Sequence, residues 1–131
     1  MLDHVSITVS DLARAEAFYD AVFTALGIVK VGSDHVDNWI GYGLRCDADH
    51  PDRNYLSLRG EAKPEDVAGR HWCFKARTRA AVDTFWQAGI AHGGRDNGKP
   101  GLRSDYHDSY YAAFLIDPDG NCIEAVCHHR S

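Results

Sequence analysis

His4-Val5-Ser6-Ile7-Thr8-Val9 alternates polar and apolar side chains, and His71-Trp72-Cys73-Phe74-Lys75-Ala76 does the same 67 residues later. A period of two marks a strand with one face on a core and one face off it. The same offset carries Asp11 onto Thr78 and Phe18 onto Phe85. It also lays Pro51-Asp52-Arg53-Asn54-Tyr55-Leu56 without a gap on Pro118-Asp119-Gly120-Asn121-Cys122-Ile123. A single register that fixes a histidine, a helix cap, an aromatic and a turn is the signature of one module written twice.

Each copy has the same internal order. After the first strand, Asp11 is placed to cap a helix, with Glu16 favoured in its early turns by the dipole. Ala15, Phe18, Tyr19, Val22, Phe23 and Leu26 form one apolar stripe, and Gly27 ends it. In the second copy Thr78 takes the cap position, and Val82, Phe85 and Trp86 form the stripe before Gly89. Strand-like segments follow at 28–32, 38–44 and 54–59, then at 90–93, 110–116 and 121–127. Turn residues at 49–52 and 117–120 precede the last strand of each copy. The expected fold is therefore α+β: two tandem βαβββ modules, about 1–66 and about 67–131, in a single domain over 1–131. The modules are expected to form a curved mixed sheet with a concave cavity. Residues 97–109, rich in glycine and polar side chains, are expected to form the one long loop.

The alternation also predicts facing. Val5, Ile7, Val9, Trp72, Phe74, Ala76, Ile123, Ala125 and Cys127 belong to the helix-covered side. His4, Ser6, Thr8, His71, Cys73, Lys75 and Glu124 belong to the other. His4 and His71 are equivalent under the repeat, as are Ser57 and Glu124. If the modules pack about a pseudo-twofold axis, His4, His71 and Glu124 converge on it. Two imidazoles and one carboxylate leave open positions on a divalent ion, as catalytic sites require. One such ion (Fe, Mn, Ni or Zn) is the expected cofactor.

Composition narrows the partners. The chain has 131 residues, 44% hydrophobic and 25% charged, which excludes disordered, collagen-like and coiled-coil readings. Its net charge of −5 opposes phosphate backbones and anionic lipid, so neither nucleic acid nor membrane is expected as a partner. No apolar run is long enough to span a bilayer and no basic leader precedes one, so a cytoplasmic location is expected. Cys46, Cys73, Cys122 and Cys127 lack disulfide or CxxC spacing and are expected to be reduced. Cys127-His128-His129 could take up metal adventitiously.

These residues resemble the vicinal oxygen chelate superfamily, which includes glyoxalase I, extradiol dioxygenases, fosfomycin-resistance enzymes and bleomycin-resistance proteins. The resemblance runs from His4–Leu12 and Ala17-Phe18-Tyr19 to Tyr111–Glu124, which is similar to the closing F-x-DPDGN-x-I-E signature. It implies metal ligands from the first and last strands of each module, at His4, Ser57, His71 and Glu124. Ser57 departs from the glyoxalase pattern and leaves an isomerase without a carboxylate base at that position. The remaining set matches that of thiol transferases and extradiol dioxygenases, and the chain length suits a transferase or small lyase better. The function implied is a metal-dependent enzyme acting on a small substrate with vicinal oxygens.

Around that centre, His107, Tyr110 and Tyr111 are candidate acids, bases or oxyanion donors. Arg59, Lys75, Lys99 and Arg103 are candidate anion clamps, and Trp39, Tyr42 and Tyr106 candidate aromatic walls. The alternatives are a metal-free protein sequestering an aromatic or cationic small molecule, and a degenerate dimerisation scaffold. A homodimer is expected, because exposed sheet edges gain from a partner.

Overall fold

The computed structural model describes residues 1–61 and 69–130. Ten elements follow in order: β1 (His4–Val9), α1 (Leu12–Leu26), β2 (Lys30–Asp34), β3 (Trp39–Gly43), β4 (Tyr55–Gly60), β5 (His71–Lys75), α2 (Arg79–Ala91), β6 (Arg95–Leu102), β7 (Tyr111–Ile116) and β8 (Cys122–Cys127). Both copies are βαβββ. Within each, the first strand runs parallel to the last, and the remaining neighbours are antiparallel, in the orders β1-β4-β3-β2 and β5-β8-β7-β6.

The expectation of one curved sheet around a concave cavity is not met. The strands form two separate four-stranded sheets, neither curled nor closed, and β1 and β5 each lie at an edge. β1 pairs only with β4 and β5 only with β8, so the outer edges of both strands are left unpaired with each other and the sheets do not merge. The modules join through their helices, α1 packing on α2.

Both helices start as their sequences dictate. Asp11 accepts from the Arg14 N–H at 2.9 Å and Thr78 from the Ala81 N–H at 3.1 Å. Helix α1 buries Leu12, Ala15, Phe18, Tyr19, Val22, Phe23 and Leu26 and stops at Gly27, where φ is +71°. Helix α2 does not stop at Gly89. It continues to Ala91, and Gly89 is buried where the helix crosses Phe18 and Leu115. A Cβ at this position would lie 2.3 Å from Leu115 Cδ1 and 3.3 Å from Phe18 Cε2. Gly-to-Ala changes inside helices ordinarily stabilise by about 1 kcal/mol. Here overpacking reverses the sign, and Gly89→Ala is expected to destabilise by about 1–3 kcal/mol in chemical denaturation.

The expected long loop is also shorter than its composition suggested. Residues 95–102 form β6, paired with β7 across two register shifts, at Asp96/Gly98 and Gly98/Gly101. Gly98 takes φ +149°, a bulge conformation that a side chain rarely adopts, while Asp96 accepts the Gly98 N–H. The remaining loop, 103–110, is held by Arg103 N–H to Tyr110 O at 2.8 Å, Tyr106 N–H to Arg103 O at 3.0 Å and Tyr110 N–H to His107 O at 3.1 Å.

A polar clasp completes the union of the modules. The turn at 117–121 inserts at the end of β1 and the start of α1. Asp117, 1% exposed, accepts from Tyr19 Oη (2.6 Å), Asn121 Nδ2 (2.8 Å) and the N–H groups of Asp119 (2.9 Å) and Asn121 (2.7 Å). Asn121 donates onward to Thr8 O, and Asp119 accepts from the Ser10 N–H and hydroxyl and from Arg14. The equivalent first-copy turn has other partners: Pro51 O and Arg53 O accept from the Cys46 thiol. The closing signature of the sequence is thus an inter-module fastening.

Candidate functional site

Strand alternation places Glu124 on the face of the second sheet opposite α2, with Cys73 beside it in register on β5 and Phe114 beside it on β7. Glu124 is 1% exposed, and both carboxylate oxygens are engaged. His71 donates from Nε2 to Oε2 at 2.6 Å, and Tyr110 donates from its hydroxyl to Oε1 at 2.6 Å. His71 is half-exposed and Tyr110 partly buried, so the carboxylate is a floor and its donors form the rim. These are charge-assisted bonds in a partly desolvated place, the stronger class of hydrogen bond.

The neighbours carry the electrostatic consequence. Desolvation first, then the Glu124 charge, pushes the Cys73 thiol up to about 12. Cys73 is therefore a neutral thiol near neutral pH, a weak donor and a poor nucleophile. Desolvation and the bond to Glu124 likewise raise Tyr110 well above the ordinary phenol, so its proton stays on the oxygen.

Aromatic rings continue the rim. Tyr110 stands edge-on to His107 (5.4 Å) and His128 (5.3 Å) and meets Tyr106 at 4.8 Å, while Phe114 lies 6.3 Å from His71. His107 Nδ1 accepts the Ser109 N–H, so Nε2 carries the proton and donates to His128 Nδ1 at 2.9 Å. Arg103 lies over the Phe114 ring at 5.4 Å and donates to Lys99 O at 2.6 Å, which pins the loop without a ligand.

The other candidates fall elsewhere. Tyr111 points to the helix side and donates to Asp83 at 2.7 Å, separated from Tyr110 by the alternation of the strand. Lys75 is exposed at the end of β5, on the His71 side of that strand. Arg59, Trp39 and Tyr42 belong to the first sheet. Arg59 is exposed, the Trp39 ring covers Gly32 and Gly41, and Tyr42 is buried and bonded to Asp20. His4 donates to Asp3 at 2.6 Å and lines, with Arg45, Cys46 and Tyr55, a cavity of about 160 Å³. Ser57, the repeat counterpart of Glu124, shares a 2.8 Å hydrogen bond with Ser6, the counterpart of Cys73.

These positions decide whether a divalent ion fits. A catalytic site normally takes three protein donors. His71 and Glu124 supply two, already bonded to each other, and the second Glu124 oxygen is bonded to Tyr110. Among the described residues, no group of three or more His, Cys, Asp or Glu side chains is gathered in a way that could hold a metal. One chain alone does not fit the ion. Two participants escaped the sequence reading: Cys73, on the predicted polar face but given no role, and Phe114, whose pairing with Glu124 depends on strand register.

Comparison with solved structures agrees with this fold. A glyoxalase/bleomycin resistance protein from Albidiferax ferrireducens T118 is 32% identical, with a TM-score of 0.77 over 97% of this chain and 98% of that one. A glyoxalase/bleomycin resistance protein/dioxygenase family enzyme from Burkholderia phytofirmans PsJN shares the fold at 22% identity, TM-score 0.68, over 97% and 98%. So does a genomically encoded fosfomycin resistance protein from Listeria monocytogenes, at 14% identity, TM-score 0.67, over 97% and 92%. No curated protein matches the chain by sequence. The family model matches residues 1–125, and with the doubled βαβββ module it shows that this chain belongs to the Glyoxalase/Bleomycin resistance protein/Dioxygenase superfamily.

Proposed function

We propose that this protein binds a small organic molecule at the Glu124 face without needing a metal, and that the preferred ligand is an aromatic cation. The observation that carries this reading is the double engagement of Glu124 by His71 and Tyr110, which fixes a buried carboxylate beneath a rim of aromatic rings. A carboxylate among aromatic faces favours a cationic, planar ligand through charge and cation–π attraction. The net charge of −5 draws cations to the molecule.

The test is a calorimetric titration with benzamidinium before and after treatment with EDTA. Equal saturable binding in both supports the reading. Loss of binding after chelation, or no saturable binding to either sample, contradicts it.

A second reading is favoured by the convergence of two of the three expected donors, His71 and Glu124. In a homodimer, His4 from a second copy would complete the set, and the protein would be a metal-dependent lyase, transferase or dioxygenase. Holding the ion would require Glu124 to exchange its bonds to His71 and Tyr110 for coordination. Metal analysis of wild type, His4→Ala and Glu124→Ala separates the readings: occupancy lost in both variants favours the enzyme.

A further inference from the structure

The parallel strands β5 and β8 release their chains at the same end of the second sheet. Ala76 N–H still bonds Val126 O at 2.8 Å, after which Arg77-Thr78-Arg79 turn into α2 beside Cys127 and the following residues. Between them lies a cavity of about 330 Å³ lined by Arg77, Thr78, Arg79, Cys127, His129 and Arg130. Its wall is largely carbon, from arginine stems and Cys127. Cys127 is buried with the helix-side residues of β8, whereas Glu124 faces the opposite way, so the two places are independent.

The charge here runs against the rest of the molecule. Acids outnumber Lys and Arg by 19 to 14 in the chain, yet three arginines and no acid line this cavity. Among the described residues, Arg77 and Arg130 have no hydrogen-bond or ion-pair partner. Arg79 lies over the Tyr111 ring at 5.2 Å, and its buried Nε atom has no acceptor. The nearest acid along α2, Asp83, already accepts from Tyr111. Unpaired guanidinium groups around one space repel each other, and a buried donor without an acceptor costs stability. An anion in this space relieves the repulsion. Guanidinium forks suit phosphate and carboxylate oxygens, and the positive end of the α2 dipole adds to the same field.

We infer that this cavity is an anion site for a small phosphate monoester with a compact apolar body, the phosphate held by Arg77, Arg79 and Arg130 and the body against the carbon wall. The inference stands apart from the Glu124 reading and survives its failure.

The experiment uses phenyl phosphate, with inorganic phosphate as comparator, followed by backbone amide NMR on the full chain. Phenyl phosphate is expected to saturate one site, shift the amides of residues 77–81 and 127–130, and bind at least tenfold tighter than inorganic phosphate. The exposed Arg77 and Arg130 can be removed without touching the core. Arg77→Ala/Arg130→Ala should melt no lower than the wild type and weaken binding at least tenfold. Absence of saturable binding, shifts centred on Tyr110 and Glu124, equal affinity for inorganic phosphate, or unchanged affinity in the double variant would each overturn the inference.

Discussion

Replacing Asp117 by alanine should lower the unfolding free energy by about 3–5 kcal/mol, the range for breaking a buried charged network. The loss strands the Tyr19 hydroxyl, the Asn121 side chain and two backbone N–H groups, all at a residue 1% exposed. It also loosens the turn whose hydrogen bonds tie the second module to β1 and the start of α1. For a domain of this size the melting temperature should fall by roughly 10–20 °C. Burial holds the Asp117 carboxyl above its usual range, ahead of the donors that favour its charge. The folded chain therefore binds this proton more readily than the unfolded one, and the wild type loses stability as pH rises from the ordinary aspartate value through the raised one. The alanine variant lacks that slope. Its penalty should be largest at low pH, shrink across that window and then level off, as urea melts at several pH values will show.

Glu124→Gln should weaken binding of the aromatic cation by about 10–100-fold, since it removes the charge beneath the rim while keeping the shape. The same substitution has a readout that does not depend on the ligand. Glu124 is the second cause, after desolvation, of the raised Cys73 thiol, and its hydrogen bond helps raise Tyr110. Both should move back towards their ordinary values in the variant. Cys73 should then react faster with iodoacetamide at mildly alkaline pH, and the phenolate absorbance of Tyr110 should appear at lower pH. Weakened binding with neither change would place the effect outside the pairing described here.

How far the sequence was legible depended on the range of the interactions. The repeat, the caps at Asp11 and Thr78 and the α1 stripe follow from local chemistry, and all are found. Gly89 follows the α2 stripe as Gly27 follows that of α1, and a glycine required by Phe18 and Leu115 looks, in sequence, like one required by a helix terminus. The glycines at 98 and 101 suggested a loop, yet they serve a bulged strand whose partner lies on β7. The curved sheet was an assembly-level expectation, and strand alternation says nothing about whether one sheet meets another. At the site, facing correctly put His71 and Glu124 on one side of neighbouring strands, and the parallel register brings them into contact. His4 has the same local signature, but its convergence with them depended on how the modules sit. The modules meet through α1 and α2, and His4 bonds Asp3.

The most direct test of the metal-independent reading is a calorimetric titration of chelator-stripped protein with Zn²⁺, run on wild type, Glu124→Ala and His4→Ala. With Glu124 satisfied by His71 and Tyr110, the wild type should show no one-to-one binding tighter than about micromolar that depends on Glu124. One tightly bound ion per chain, lost in both variants, would contradict the account and place the ligand set across two copies.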